Sequence, residues 1–216
     1  MIGKLSICAL AAVLLARGAA LAGTAEVEVT DERGHPLADA VVELAASQPV
    51  ASPSTRALPA ESIIDQRHET FLPLVTLIRK GGHVIFTNND TTMHQVYSFA
   101  PIKQFAFEID EGERSQPVVF DRSGIAAIGC NIHDRMITYV YVAGQPWAAL
   151  SDKSGHATIE GLPAGDYRGT VWHPQLPLGA APIFFALTVS GSGARAAVEV
   201  PVTAVTAKKP MHMQMY

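Results

Sequence analysis

The stretch Cys130-Asn131-Ile132-His133-Asp134-Arg135-Met136 decides how this chain is read. It places a thiol, an imidazole and a thioether within seven residues. If the chain turns there, all three can face one point. A soft thiolate, imidazole nitrogen and a weak axial thioether are the donors of a mononuclear electron-transfer copper site. Such a site also needs a second histidine, a rigid scaffold and a compartment that suits a lone thiol.

His94 is the candidate second histidine, in Asn88-Asn89-Asp90-Thr91-Thr92-Met93-His94-Gln95-Val96. It follows a strand and a polar loop and precedes another strand. That puts its imidazole at one end of a β scaffold, where a second loop can meet it. Taken singly, Cys130 reads as a buried thiol, His133 as a surface loop residue, Met136 as core and His94 as solvated. Taken together, with their spacing and strand flanks, they read as copper ligands. His83 has no ligand partner near it in sequence and reads as structural.

The surrounding sequence is a series of short strands and turns, which predicts an all-β sandwich or barrel. Glu26-Val27-Glu28-Val29-Thr30 alternates as a half-buried strand does. A second strand is expected over Pro36 to Leu44, and residues 45 to 60 read as a linker rich in Ala, Ser and Pro. Further strands are expected near Ile63, over Phe71 to Ile78, Val84 to Phe86, Val96 to Phe99, Val118 to Phe120, Ile125 to Ile128 and Ile137 to Val142. Beyond them come Ala157 to Ile159, a tight loop from Gly161 to Tyr167, and strands over Tyr167 to Trp172, Ile183 to Val189 and Ala196 to Val202. No segment carries a long helical period.

The N-terminus speaks to the compartment. Lys4, the apolar run from Leu5 to Leu15 and the small-residue site Ala20-Leu21-Ala22 read as a secretory signal peptide over residues 1–22, cleaved after about Ala22. The apolar run is too short to span a membrane and no other stretch approaches that length. The exported chain, expected in a periplasm, loses Cys8 and keeps Cys130 alone. A single cysteine cannot close an internal disulfide, and metal ligation explains a thiol kept in an oxidising compartment.

The whole chain has 16 basic against 20 acidic residues. Removing Lys4 and Arg17 leaves a net of about −6 with no basic stripe, so nucleic-acid binding has no support.

Residues 60–143 resemble a cupredoxin. Gly81-Gly82-His83-Val84-Ile85-Phe86-Thr87-Asn88-Asn89 with His94-Gln95-Val96 resembles the plastocyanin pattern. The Cys-x2-His-x2-Met spacing resembles the shorter amicyanin loop. The resemblance implies a Greek-key sandwich holding one type 1 copper through His94, Cys130, His133 and Met136. It also implies that His133 lies nearest the surface. Asn89 and Gln95 are candidates to hydrogen-bond the ligands from behind. Arg135 departs from the apolar or aromatic residue often found beside the axial ligand.

Residues 24–50 and 146–204 resemble two parts of one carboxypeptidase-regulatory-like or transthyretin-like sandwich. The carrying motifs are Asp31-Glu32-Arg33-Gly34-His35-Pro36 and Gly161-Leu162-Pro163-Ala164-Gly165-Asp166-Tyr167. The whole arrangement, a cupredoxin inserted in an immunoglobulin-like sandwich, resembles chains called methylamine utilization proteins. Asp65-Gln66-Arg67 and Val171-Trp172-His173-Pro174 belong to that likeness; His173 itself reads as packed at a strand end. Residues 205–216 read as a disordered tail whose Met211, His212, Met213 and Met215 could form an accessory copper-capturing cluster.

The expected function is single-electron transfer between a redox donor protein and a redox acceptor protein, with no enzymatic reaction. Two alternatives stand beside it. One is copper binding and delivery, suggested by the methionine-rich tail. The other is a metal-free β-sandwich binding module, suggested by the flanking sandwich.

Overall fold

A computed structural model of the chain describes residues 23–49, 58–132, 135–177 and 179–202. These residues are all-β, and among them no helix is long and apolar enough to cross a membrane. Residues 1–22, His133, Asp134 and the Met211–Met215 cluster lie outside this set.

The strands form two sandwiches, each of two sheets. The first sandwich has a three-stranded sheet of β1 (Gly23–Thr30) between β13 (His156–Leu162) and β16 (Ala194–Glu199). Its facing sheet runs β12 (Trp147–Leu150), β2 (Val41–Ala46), β14 (Gly165–Trp172), β15 (Ile183–Val189). Alternation makes this possible: Ala25, Val27 and Val29 point inward while Glu26 and Glu28 point out. The core between the sheets holds Leu44, Trp147, Tyr167 and Leu187.

The second sandwich carries the candidate ligands. Its five-stranded sheet runs β5 (Val75–Arg79), β11 (Ile137–Ala143), β10 (Gly124–Cys130), β7 (His94–Ala100), β8 (Lys103–Ile109). Its four-stranded sheet runs β4 (Phe71–Leu72), β3 (Glu61–Gln66), β6 (Gly82–Asn88), β9 (Val118–Phe120). Ile64, Phe86, Phe120, Ile128 and Val140 fill the space between them. A third, smaller cluster of Val41, Val75, Leu77 and Ala143 joins the two sandwiches. Trp172 of β14 sits edge-on to Tyr139 of β11 there, with ring centroids 5.5 Å apart.

Several strand expectations need correction. The second strand begins at Val41 and runs to Ala46, because Asp39 adopts a left-handed φ of 62° just before it. The expected linker therefore starts later, and its residues 50–57 lie outside the described set. The apolar run Phe71 to Ile78 is two strands, divided around Pro73. The Gly161 to Tyr167 loop shrinks to Pro163 and Ala164, since β13 and β14 claim the rest. The final strand ends at Glu199, although Val200 and Val202 remain in the core. Strands β8 and β12 were not expected. In β8, Phe105, Phe107 and Ile109 alternate with polar or small residues, a signal that was present but short.

Candidate metal centre

Strand parity carries His94 and Cys130 to the same place. In β7 the even-numbered His94, Val96 and Ser98 face the core, and in β10 so do Ala126, Ile128 and Cys130. The two strands pair antiparallel with Cys130 opposite Val96, so the thiol lands beside the start of β7. His94 Nδ1 lies 3.5 Å from Cys130 Sγ. Both side chains are buried, and the His94 residue is fully enclosed.

Cys130 ends β10, and β11 begins at Ile137, immediately after Met136. Cys130 N–H donates to the carbonyl of Met136 at 3.3 Å, and Met136 is buried in the same core as Cys130. Arg135 is exposed. Among the described residues, no three His, Cys, Asp or Glu side chains converge as a metal-holding group. The described donors of the expected set are His94, Cys130 and the thioether of Met136.

The donor pair fits a metal. Metal–nitrogen and metal–sulfur bonds of roughly 2.0 and 2.3 Å at a near-tetrahedral angle separate the two donors by about 3.5 Å. His94 and Cys130 stand at that separation without rearrangement. A soft thiolate with imidazole and thioether is also a donor set suited to copper.

Behind His94 stands a carboxylate. His94 Nε2 donates to Asp90 Oδ2 at 2.8 Å. Burial opposes the Asp90 charge, but hydrogen bonds from Glu69 N–H, from His94 and from His68 N–H outweigh it and hold the carboxyl below its usual range. An ionised carboxylate only accepts. A singly protonated ring that donates to Asp90 carries its proton on Nε2 and turns Nδ1 toward the Cys130 sulfur.

The expected supporting residues are redistributed. Asn89 points away from the centre and donates to Asp65 Oδ1 at 2.6 Å. Its neighbour Asn88 takes the inward position at the end of β6 and is buried. Asn88 Nδ2 donates to the Thr92 and Ile109 carbonyls, while its Oδ1 accepts from Asp90 N–H. One amide thus braces the loop that delivers His94. Gln95 faces outward, where its Oε1 accepts from Asn131 Nδ2 at 2.7 Å and its carbonyl from Asn131 N–H. It pins the first residue of the ligand loop to β7. Asp90 and Asn88 were missed from sequence; a polar loop with an acid four residues before the histidine was the available signal.

The remaining histidines of interest sit elsewhere. His83 Nε2 pairs with Glu61 Oε2 at 2.8 Å across β6 and β3. His173 is buried in the first sandwich, where Nε2 donates to the Ala38 carbonyl and Nδ1 accepts from Gln175 N–H. Burial lowers its pKa against the opposing effects of the Ala38 carbonyl and Asp39.

No family model matches the chain, and no curated protein matches it. Among solved structures it is similar to a purple cupredoxin from Nitrosopumilus maritimus, at 23% identity and a TM-score of 0.34 over 38% of this chain and 99% of that one. It is similar to the amicyanin of Paracoccus versutus at 17% identity and a TM-score of 0.34, over 46% of this chain and 97% of that one. A copper-containing nitrite reductase from Thermus scotoductus SA-01 is also similar, at 24% identity and a TM-score of 0.36. That match covers 45% of this chain but only 25% of the reductase.

Proposed function

We propose that this chain is an exported copper protein of the cupredoxin type, moving single electrons between two redox proteins. One type 1 copper would be held by His94, Cys130, His133 and Met136, and would supply a one-electron couple. The observation that carries this reading is the buried contact of His94 Nδ1 with Cys130 Sγ at 3.5 Å, at one end of a β-sandwich. A thiol and an imidazole are both ligand types for copper, and here Asp90 holds the imidazole with its other nitrogen toward the sulfur.

The chain's own contribution is rigidity. Cys130 is fixed by the β10–β7 and β10–β11 ladders, and Asn88 braces the loop before His94. Donors held this way move little when the charge at their centre changes, which favours fast electron exchange. The inserted arrangement, with residues 60–143 as the copper-binding unit inside a split transthyretin-like sandwich, belongs to the same proposal.

Adding Cu(II) to the purified protein tests the reading. One equivalent is expected to produce an intense blue or green absorption band, and voltammetry is expected to give a reversible one-electron wave. Colourless binding of stoichiometric copper would defeat thiolate ligation. A coloured protein with exchangeable but redox-silent copper would favour copper delivery instead.

A further inference from the structure

We propose that Asp90 is the positioning residue of this centre. Clamped by the hairpin turn between β3 and β4, it sets the tautomer and orientation of His94 and biases copper held there toward the oxidised state. This rests on the copper reading above.

The turn is the unusual feature. Arg67 and Thr70 exchange both backbone hydrogen bonds, N–H to carbonyl at 3.0 and 3.1 Å, and enclose a two-residue loop of His68 and Glu69. Both loop residues have left-handed φ, 52° and 54°. Such a turn favours Asn-Gly or Asp-Gly, because side chains are unwelcome at positive φ. Neither residue here is glycine, so each carries the steric cost of a side chain at positive φ. What the turn gains is direction. His68 N–H donates to Asp90 Oδ1, and Glu69 N–H donates to Asp90 Oδ2 at 3.0 Å. Two successive N–H groups in this conformation make a small anion-binding concavity.

That concavity holds the carboxylate whose Oδ2 lies 2.8 Å from His94 Nε2. Asp90 is held from its other side too, since its own N–H donates to Asn88 Oδ1 at 2.9 Å. The Asp90 side chain is only 11% exposed and that of His94 is at 0%. Solvent therefore reaches the carboxylate but not the imidazole. A carboxylate on the far nitrogen makes an imidazole ligand more basic and fixes its ring. Its negative charge stabilises the more positive oxidation state. Both effects point the same way, toward Cu(II).

Asp90→Asn removes the charge while keeping the shape and one acceptor. It is expected to shift the Cu(II)/Cu(I) ratio at fixed ambient potential about tenfold toward Cu(I), which is 59 mV for a one-electron couple. The double substitution His68→Gly with Glu69→Gly keeps both N–H donors and removes the side chains, and is expected to leave that ratio within twofold. A shift of less than threefold in Asp90→Asn overturns the proposal, and so does a double-glycine shift as large as that of Asp90→Asn. Nitrogen NMR of the metal-free wild type gives a readout that needs neither variant to fold. In its neutral form His94 is expected as the Nε2–H tautomer, and an Nδ1–H tautomer overturns the proposal. Should the protein bind no copper at all, the copper reading fails, while the tautomer measurement still judges Asp90.

Discussion

Cys130→Ser is expected to abolish the intense visible absorption of the copper-loaded protein. It is also expected to weaken copper binding by on the order of 100-fold or more, since losing even an outer-shell partner of a metal ligand costs about 10–100-fold. On the copper reading, colour and tight binding would both come from the thiolate, and Cys130 is the cysteine held at this centre. The substitution is nearly isosteric, so the fold should survive it. A buried hydroxyl without a partner costs about 1–3 kcal/mol. Here the introduced hydroxyl has His94 Nδ1 within reach, which keeps the expected loss near about 1 kcal/mol. Absorption titration with Cu(II) and urea unfolding of the metal-free variant separate the two effects. His83→Gln is the matched control: His83 pairs with Glu61 on another part of the fold, and its loss should leave the band intact. A band that persists in Cys130→Ser would assign the colour elsewhere and remove the basis of the copper reading.

The alternation of apolar residues was enough to read most of the strands from sequence. Ala25, Val27 and Val29 are inward and Glu26 and Glu28 outward, as the pattern requires. What escaped were features that no short-range pattern records. Strand β12 has Trp147-Ala148-Ala149-Leu150, with no polar alternation, and it exists because its backbone pairs with the distant β2. The Phe71 to Ile78 run looked like one strand because its composition is largely apolar, yet its two pieces join different sheets. The same limit applied at the candidate centre. Thiol and imidazole types pointed to His94 and Cys130, which do meet. The choice between Asn88 and Asn89 turned on one residue of register, because successive side chains in a strand face opposite ways. Asp90 was in plain sight just before His94, but its importance comes from the His68–Glu69 turn, far upstream and on another strand pair. A sequence pattern shows which groups are available; only the pairing of distant strands shows which of them share a point.

Phe86→Ala is expected to remove about 3–5 kcal/mol from the sandwich that carries the candidate ligands. Phe86 is fully buried in β6, and across the sandwich its ring meets Phe105 at 5.8 Å and Phe107 at 5.7 Å, both from β8. Those two rings stack on each other at 5.3 Å, so all three act as one aromatic layer between the sheets. Each aromatic contact adds roughly 0.5–1.5 kcal/mol beyond burial, and a domain's whole stability is about 5–15 kcal/mol. The loss is therefore a large share of what holds this sandwich. It should fall unevenly on the molecule, because Leu44, Trp147 and Tyr167 belong to a separate core. Urea unfolding of the metal-free protein followed by the Trp147–Tyr167 environment should shift less than unfolding followed by phenylalanine and tyrosine signals from the ligand-bearing sandwich. Phe86→Leu, which keeps most of the volume, should cost under about 1.5 kcal/mol. The site is tied to the same layer: shortly beyond Phe86 on the same strand, Asn88 braces the loop that carries Asp90 and His94. Copper that binds only the folded sandwich should then return stability, about 2.7 kcal/mol when free copper is 100 times its dissociation constant. A loss below about 1 kcal/mol in Phe86→Ala would mean that the aromatic layer is not the core of this sandwich. Equal shifts in both signals would mean that the two sandwiches unfold as one cooperative unit, joined through Trp172, Tyr139 and the small cluster between them.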